Sequence, residues 1–470
     1  MTTEQIDMPP LRPLGIFERF MVARSQQGVY HKVGVTAFYS SDRKATTKEN
    51  LKPAIYSALA LVISKHANLS ITPVGVDSSE SYFVRLPYVN LDEVVAFTEI
   101  DNILDGQGRH RPALDHFLER EHSRPWDLSV PLPLWRLHIL QQPGGDGSRF
   151  VLCYMFHHAI GDTKSALVFH QALEEALNTT DGGTETSSMV SSPDLPLIPP
   201  LDAFVDTTRE VDGGSAPEEA GAVWTGAEQF LPVRTRFRSL RFGGDESIEF
   251  LRLCKAHGVS LTAAIQAMLV TALFEKLPSE YTALRTDCPI SLREWLPAPV
   301  SALSMGILVD TFLETHQRPN LSHGGKQGSF AWVDDAQTTK KRIDRAVRER
   351  RGDGLLEKLS HVKDVEAWTM AKMGQPRTTS LELSNVGRLP SLAENNRSAR
   401  IHGLVFSQSA GAVSGAIKVS CVTGRDGRIS LGFTWQEGVV EDGFMDEFLD
   451  EFLSIFDGDL IFFQQMHNGP

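Results

Sequence analysis

The stretch Phe150–Asp162, FVLCYMFHHAIGD, governs how the rest of the chain is read. Its first seven residues, Phe150 to Phe156, are apolar or weakly polar and include three aromatics. An unbroken run of that length is the pattern of a strand buried on both faces, because a half-exposed strand would alternate. Gly161 and Asp162 then mark a turn, and a helical pattern starts at once. Two histidines are thus delivered at the carboxyl end of a buried strand, where α/β sheets place their chemistry. Alternation puts His158 on the face of Tyr154 and Phe156 and turns His157 the other way, so one imidazole of the pair faces a given cavity. A neutral imidazole, with a reference pKa of about 6.5, is the natural general base near neutral pH. The Asp162 carboxylate, across the turn, can hold the ring or the loop in place. Two uses fit the residues alone: a catalytic histidine with its aspartate, or a satisfied core histidine beside a chance spacing.

The hexapeptide His157-His158-Ala159-Ile160-Gly161-Asp162 resembles the HHxxxD core of the CoA-dependent acyltransferase superfamily. That superfamily includes chloramphenicol acetyltransferase, the plant BAHD acyltransferases, peptide-synthetase condensation domains and the fungal alcohol acetyltransferases. Arg12–Phe20 (RPLGIFERF), Arg24–Tyr30 (RSQQGVY) and Pro133–Leu140 (PLWRLHIL) are similar to the alcohol acetyltransferases in particular. Pro289–Arg293 (PISLR), Leu383–Gly387 (LSNVG) and Phe433–Gly438 (FTWQEG) follow in the same family's order, so the resemblance spans nearly the whole chain. It implies an α/β fold of two chloramphenicol-acetyltransferase-like subdomains, each a mixed sheet with packed helices, and an active-site tunnel between them. It further implies that His158 is the general base, taking the proton of an acceptor hydroxyl or amine as that group attacks the thioester of acetyl-CoA or another acyl-CoA. No metal enters that chemistry. By the same resemblance Asp162 is structural and pairs with an arginine, matched here by Arg293, while His157 and Gly161 support the motif. Ser384 and Asn385 are the oxyanion or tunnel candidates. One departure is Thr163, where most members carry glycine.

The leading expectation is an O-acetyltransferase for a small-molecule, secondary-metabolite alcohol, monomeric as the family usually is. Two others stand beside it: N- or O-acyl condensation from a carrier-protein thioester, and a non-acylating member that binds or cyclises a ligand in the tunnel. An acidic carrier would be repelled by a net charge of −13, which also argues against a nucleic-acid backbone as partner.

At 470 residues the chain is too long for one ordinary core. A hydrophobic content of 41% with 22% charged residues is that of a soluble globular protein. Cys153, Cys254, Cys288 and Cys421 are far apart and form no CxxC, which suits reduced core residues in a reducing compartment. The opening MTTEQIDMPP has neither the basic nor the apolar region of a secretory signal, and no run of about 18 apolar residues occurs, so a cytoplasmic protein without a membrane span is expected. Absence of GxxxxGK[ST], GxGxxG, HExxH and GxSxG leaves phosphate cradles, zincin chemistry and a hydrolase elbow without support.

The period stops after Asn178, where NTTDGGTETSSMVSSPDLPLIPP is rich in Ser, Thr, Gly, Asp and Pro. This divides the chain into a first subdomain over 1–178, a linker or mobile loop over 179–222, and a second subdomain over 223–470. Strands are expected at 305–313 and 402–409, and one helix over 355–373. The basic run Lys340–Arg351 fits either CoA phosphates or a solvated helix face. The helix starting at Asp442 has a broad apolar side and an acidic polar face, which favours core packing over a membrane surface.

Overall fold

The computed structural model describes residues 8–42, 50–78, 80–106, 108–179, 187–208, 221–319, 330–390 and 398–467. The chain begins with β1 (Pro10–Pro13), α1 (Ile16–Gln26), β2 (Val33–Ser41), α2 (Leu51–Lys65), β3 (Ile71–Val74), β4 (Tyr82–Arg85) and β5 (Tyr88–Asn90). Next come α3 (Leu91–Val94), β6 (Val95–Glu99), α4 (Pro112–His122), β7 (Trp135–Gln141), β8 (Arg149–Phe156), α5 (Thr163–Thr179) and β9 (Met189–Ser191). After them run β10 (Thr235–Arg241), α6 (Gly244–Ala256), α7 (Leu261–Lys276), β11 (Ala283–Ser291), β12 (Val309–Gln317), α8 (Val333–Glu349), α9 (Leu355–Ser360) and α10 (Val365–Met370). The chain closes with β13 (Leu381–Arg388), β14 (Ala399–Gln408), β15 (Ile417–Thr423), β16 (Ile429–Gln436) and α11 (Asp442–His467).

β8 is the middle strand of a five-stranded sheet in the order β14-β2-β8-β7-β6, antiparallel to both of its neighbours. Its unbroken apolar run serves two cores. Phe150, Leu152, Tyr154 and Phe156 pack with Ile55, Leu59 and Phe169 of α2 and α5. Val151, Cys153 and Met155 face α4 through Leu114, Phe117 and Leu118. With helices on both sides, neither face of the strand can carry exposed polar residues, which is why the sequence does not alternate.

The second sheet has the order β10-β16-β15-β13-β11-β12 and mixes parallel with antiparallel neighbours. Here alternation is clear. Leu381, Leu383, Ile417, Val419, Cys421, Leu431, Phe433 and Trp435 build a core with α7 and α11. The residues between them, Glu382, Ser384, Lys418, Ser420 and Thr434, turn to the opposite face, where the Thr434 hydroxyl donates to the Gln408 carbonyl of β14. Ser260 caps α7 by accepting from the Ala263 N–H, and Gly258 ends the preceding turn at φ +68°, a conformation that L side chains rarely adopt. The apolar side of α11 (Met445, Phe448, Leu449, Phe452, Phe456, Leu460 and Phe463) is buried in this core, as its acidic outer face suggested. No single helix among the described residues is long and apolar enough to cross a membrane. All four cysteines are buried free thiols.

Several local expectations are revised. Strand β12 starts at Val309 rather than 305, because the Gly306 backbone is drawn into the site and cannot join a ladder. The helix expected over 355–373 is two short ones, since Asp364 caps a new start by accepting from the Ala367 N–H. Within the stretch read as a linker, 180–186 and 209–220 lie outside the described residues. The part between them is not patternless: Met189–Ser191 pairs antiparallel with Tyr88–Asn90, and the Ile198 carbonyl accepts from Arg12. Most notably, β14 follows four strands of the second sheet in sequence (β10 to β13) yet pairs with β2 of the first over nearly its whole length. It covers the edge that β2 would otherwise expose. The basic helix α8 is laced with i,i+4 pairs, Lys340–Asp344 and Arg345–Glu349, the pattern of a solvated face.

Candidate active site

The chain leaves β8 at Phe156 and at once makes a single 3-10 turn over His158–Ile160 before α5 begins. The His157 N–H is anchored on the Leu134 carbonyl, and the Ile160 N–H returns to the His157 carbonyl. Asn68 braces the turn from outside, donating its amide to the Ile160 carbonyl at 2.9 Å and to Met305 of the second half at 3.3 Å. The turn therefore separates the two histidines, as strand alternation predicted.

Their tautomers follow from their partners. His158 Nδ1 lies 2.9 Å from the Gly161 carbonyl, which can only accept, so Nδ1 carries the hydrogen and Nε2 keeps a free lone pair. His157 is the reverse: its Nδ1 accepts from the Ala159 N–H at 3.0 Å, so its hydrogen sits on Nε2. His157 is 1% exposed, burial lowers its pKa to about 3, and its Nε2 meets no acceptor among the described residues. Burial also holds His158 below the ordinary histidine value; Arg24 acts in the same direction and Asp162 against it. His158 is partly exposed, neutral and presents an unprotonated Nε2.

Asp162 is turned away from the imidazole and locked into the second half. Its carboxylate makes a two-pronged pair with Arg293, Oδ2 to Nη1 at 2.6 Å and Oδ1 to Nη2 at 2.8 Å. It also accepts the Leu308 N–H, the Ser165 N–H and the Ser165 hydroxyl. Burial alone would raise this carboxyl, but the Arg293 charge and these donors hold it below the usual carboxylate range. Arg293 spends its remaining donors on the Ser304 and Gly306 carbonyls. Side chains at both ends of the pair are almost fully buried, at 3% and 4% exposure. Thr163 starts α5 directly after this capping aspartate, so a residue other than glycine is accommodated there without disturbing the cap.

Gly161 is extended, so φ does not demand glycine; space does. A Cβ there would lie 2.8 Å from Ser165 Cβ and 2.9 Å from its hydroxyl, and that hydroxyl is tied to Asp162 and Gly306. Gly161→Ala should therefore cost about 1–3 kcal/mol, the range for overpacking a close-packed site, read as a lower urea midpoint at unchanged slope.

The two oxyanion candidates part company. Ser384 lies on the polar face of the second sheet, half-buried, with no side-chain hydrogen bond among the described residues, beside Ser420 in the ladder. The Ser420 hydroxyl accepts from Gln408, and Gln408 accepts from the Tyr30 hydroxyl. The Tyr30 ring in turn sits 6.2 Å from that of His158. Asn385 points toward α7, its amide bonded to the Thr262 hydroxyl and its oxygen to the Gly387 N–H. It holds an irregularity in β13 and is not brought to the histidine.

Asn68, Ser165, the 304–308 segment and Tyr30 were given no role from sequence. Ser165, three residues after Asp162, was legible as half of a capping turn; the others carry no local signal.

The sequence pattern of the alcohol acetyltransferase family matches residues 235–460. An Aspergillus fumigatus protein described as a probable alcohol acetyltransferase, crmB, is 30% identical over 446 residues, covering 92% of this chain and 96% of its own. A second so described, FCK4 of Fusarium pseudograminearum, is 22% identical over 470 residues, covering 93% and 92%. Among solved structures, the TRI3 trichothecene 15-O-acetyltransferase of Fusarium sporotrichioides superposes with a TM-score of 0.69 at 12% identity, over 95% of this chain and 94% of its own. The condensation domain of the monacolin K polyketide synthase MokA does so at 0.61 and 13% identity, over 97% and 98%. The fold is thus the two-subdomain acyltransferase and condensation-domain architecture that the motif implied. This chain belongs to the alcohol acetyltransferase family.

Proposed function

We propose that the protein transfers an acetyl group from acetyl-CoA to a hydroxyl of a small alcohol of secondary metabolism, with His158 as general base. The observation that carries this reading is the orientation of His158: Nδ1–H is spent on the Gly161 carbonyl, leaving Nε2 neutral and unprotonated in a partly open position. In the proposed step the acceptor hydroxyl gives its proton to Nε2 as its oxygen bonds to the thioester carbonyl carbon. The C–S bond then breaks, and the imidazolium returns the proton to the departing thiolate. Holding both substrates together supplies much of the rate, and general-base assistance adds about 10²–10⁴-fold. The Ser384 hydroxyl is the proposed oxyanion donor, since on the polar face it meets no side-chain partner among the described residues while Asn385 is committed elsewhere.

In the same reading the Asp162–Arg293 pair is a structural clamp. It fastens the motif turn of the 1–178 subdomain to the 223–470 subdomain, to which the first also lends the pairing edge for β14. Its oxygens are filled by Arg293, Leu308 and Ser165, so the carboxylate acts on the imidazole through its charge, which opposes the lowering of the His158 pKa, and not through a hydrogen bond.

Calorimetric titration with acetyl-CoA, followed by thiol-release assays over a panel of alcohols, tests the proposal. Saturable binding and alcohol-dependent release of CoA are expected; no binding of acetyl-CoA or longer acyl-CoAs would sink it. The pH profile follows from the sign of the shift. A base whose pKa is lowered stays unprotonated further into acid, so the acid limb of kcat/KM should fall below the ordinary histidine value of about 6.5. An acid limb above that value would contradict the assignment.

A further inference from the structure

The polar face of the second sheet carries a row that the proposed reaction leaves unused. Asp287, Glu382 and Lys418 stand in register on β11, β13 and β15. Lys418 is 3% exposed. Its Nζ lies 4.3 Å from the centre of the Tyr30 ring, 3.7 Å from Glu382 and 3.4 Å from the Ser409 carbonyl, so it makes no short hydrogen bond. Arg24, 9% exposed, sets its guanidinium 4.7 Å from the centre of the same ring. Its Nη2 donates to the Val413 carbonyl and its Nη1 contacts Met21 Sδ, but its buried Nε–H meets no acceptor among the described residues. The Tyr30 ring is also the neighbour of His158.

Charge does not balance here. A third buried cation, Arg377, is spent on the carbonyls of Ala227, Gly411 and Ser414 and on Gln436. Opposite these cations stand two carboxyls. Glu382 is partly exposed and accepts the Gly415 N–H. Asp287 is pushed up to about 8 by burial and by Glu382, so it is neutral at neutral pH, and its Oδ1 has no partner among the described residues. Burial likewise lowers Lys418 to about 8, with Glu382 opposing. Three cations held out of water share one nearby ionised carboxylate, Glu382, and burying charge without a full set of partners is costly.

We propose that Arg24 and Lys418, arranged around the Tyr30 ring, form a subsite for a carboxylate on the acceptor, so that the preferred substrates are hydroxy acids. The inference rests on the acetyl-transfer reading and names its acceptor class. An Arg Nε–H and a Lys ammonium are both charge-assisted donors for a carboxylate. The Tyr30 hydroxyl, engaged with Gln408, leaves the ring as a fixed spacer between the anion and the imidazole.

The experiment compares acetylation of three matched pairs, mandelate, 3-hydroxybutyrate and 3-hydroxybenzoate, each against its methyl ester. The acids should lead by about ten- to a hundredfold in kcat/KM, mainly through KM, the range of a hydrogen bond to a charged group. Lys418→Met should erase that lead while leaving the esters within about twofold. Lys418→Gln serves if the first variant fails to fold. Esters served as well as acids would overturn the proposal. So would an equal fall in kcat for both, which would make Lys418 part of the oxyanion machinery. If no probe is acetylated, calorimetry with the three acids decides: Lys418-dependent binding keeps the subsite while removing the acetyl-transfer reading, and no binding removes the subsite.

Discussion

His158→Ala should abolish acetyl transfer while leaving the protein folded and able to bind acetyl-CoA. Loss of a positioned general base costs about 10²–10⁴-fold in kcat. Little else should change, because among the described residues the side chain makes one hydrogen bond, to a carbonyl of its own turn, and is partly exposed. The turn keeps its shape through backbone bonds from Ile160 and Gly161 and through the Asn68 amide. The measurement is a matched pair: single-turnover transfer rate and calorimetric affinity for acetyl-CoA. Unchanged transfer would remove His158 as the base. Lost affinity together with a lowered Tm would assign it a structural role instead. His157 offers the contrast, since its lone pair is already used by the Ala159 N–H.

Arg293→Met should act in the opposite way, on stability first. It leaves the Asp162 side chain buried at 4% exposure with its strongest partner gone, and breaking a buried pair at one end costs about 3–5 kcal/mol. Activity should fall in step with folding, because Arg293 also ties down the Ser304 and Gly306 carbonyls beside the motif turn. Urea unfolding reads the loss, and Arg293→Met/Asp162→Asn should recover part of it, since the double variant no longer buries an unpaired charge. A single variant as stable as the parent would show that the pair is not a clamp. The pH dependence has a definite sign. Asp162 is held below its unfolded value of about 3.9, so its contribution is fully present above that value and is lost as pH falls through the lower folded one. Arg293→Met should remove this acid-labile part of the stability curve.

The local code was clear wherever one element needed only its own residues. The unbroken run Phe150–Phe156 announced a strand buried on both faces. The doublet His157-His158, followed by Gly161-Asp162, announced a turn that splits two imidazoles. Arg293 could be named as the partner of Asp162 only because its motif resembles that of a known family; nothing near it in sequence specifies a contact 131 positions away.

What the sequence by itself determined is the set of parts: two alternations of strands and helices, a neutral histidine at a strand end, an aspartate placed across the turn to hold ring or loop, and the family to which they belong. These are properties of period, propensity and short-range hydrogen bonding, all carried within a few residues. Only the tertiary structure decided how the parts meet. It sent β14 into the first sheet, because β2 offered an open edge, and period 2 is the same in either sheet. It turned Asn385 to Thr262 and left Ser384 on the polar face, because alternation says that neighbours part but not which side holds the cleft. It also gathered Arg24, Tyr30 and Lys418 beside His158 from segments nearly 400 residues apart, where long-range burial creates a charge imbalance that no local pattern encodes.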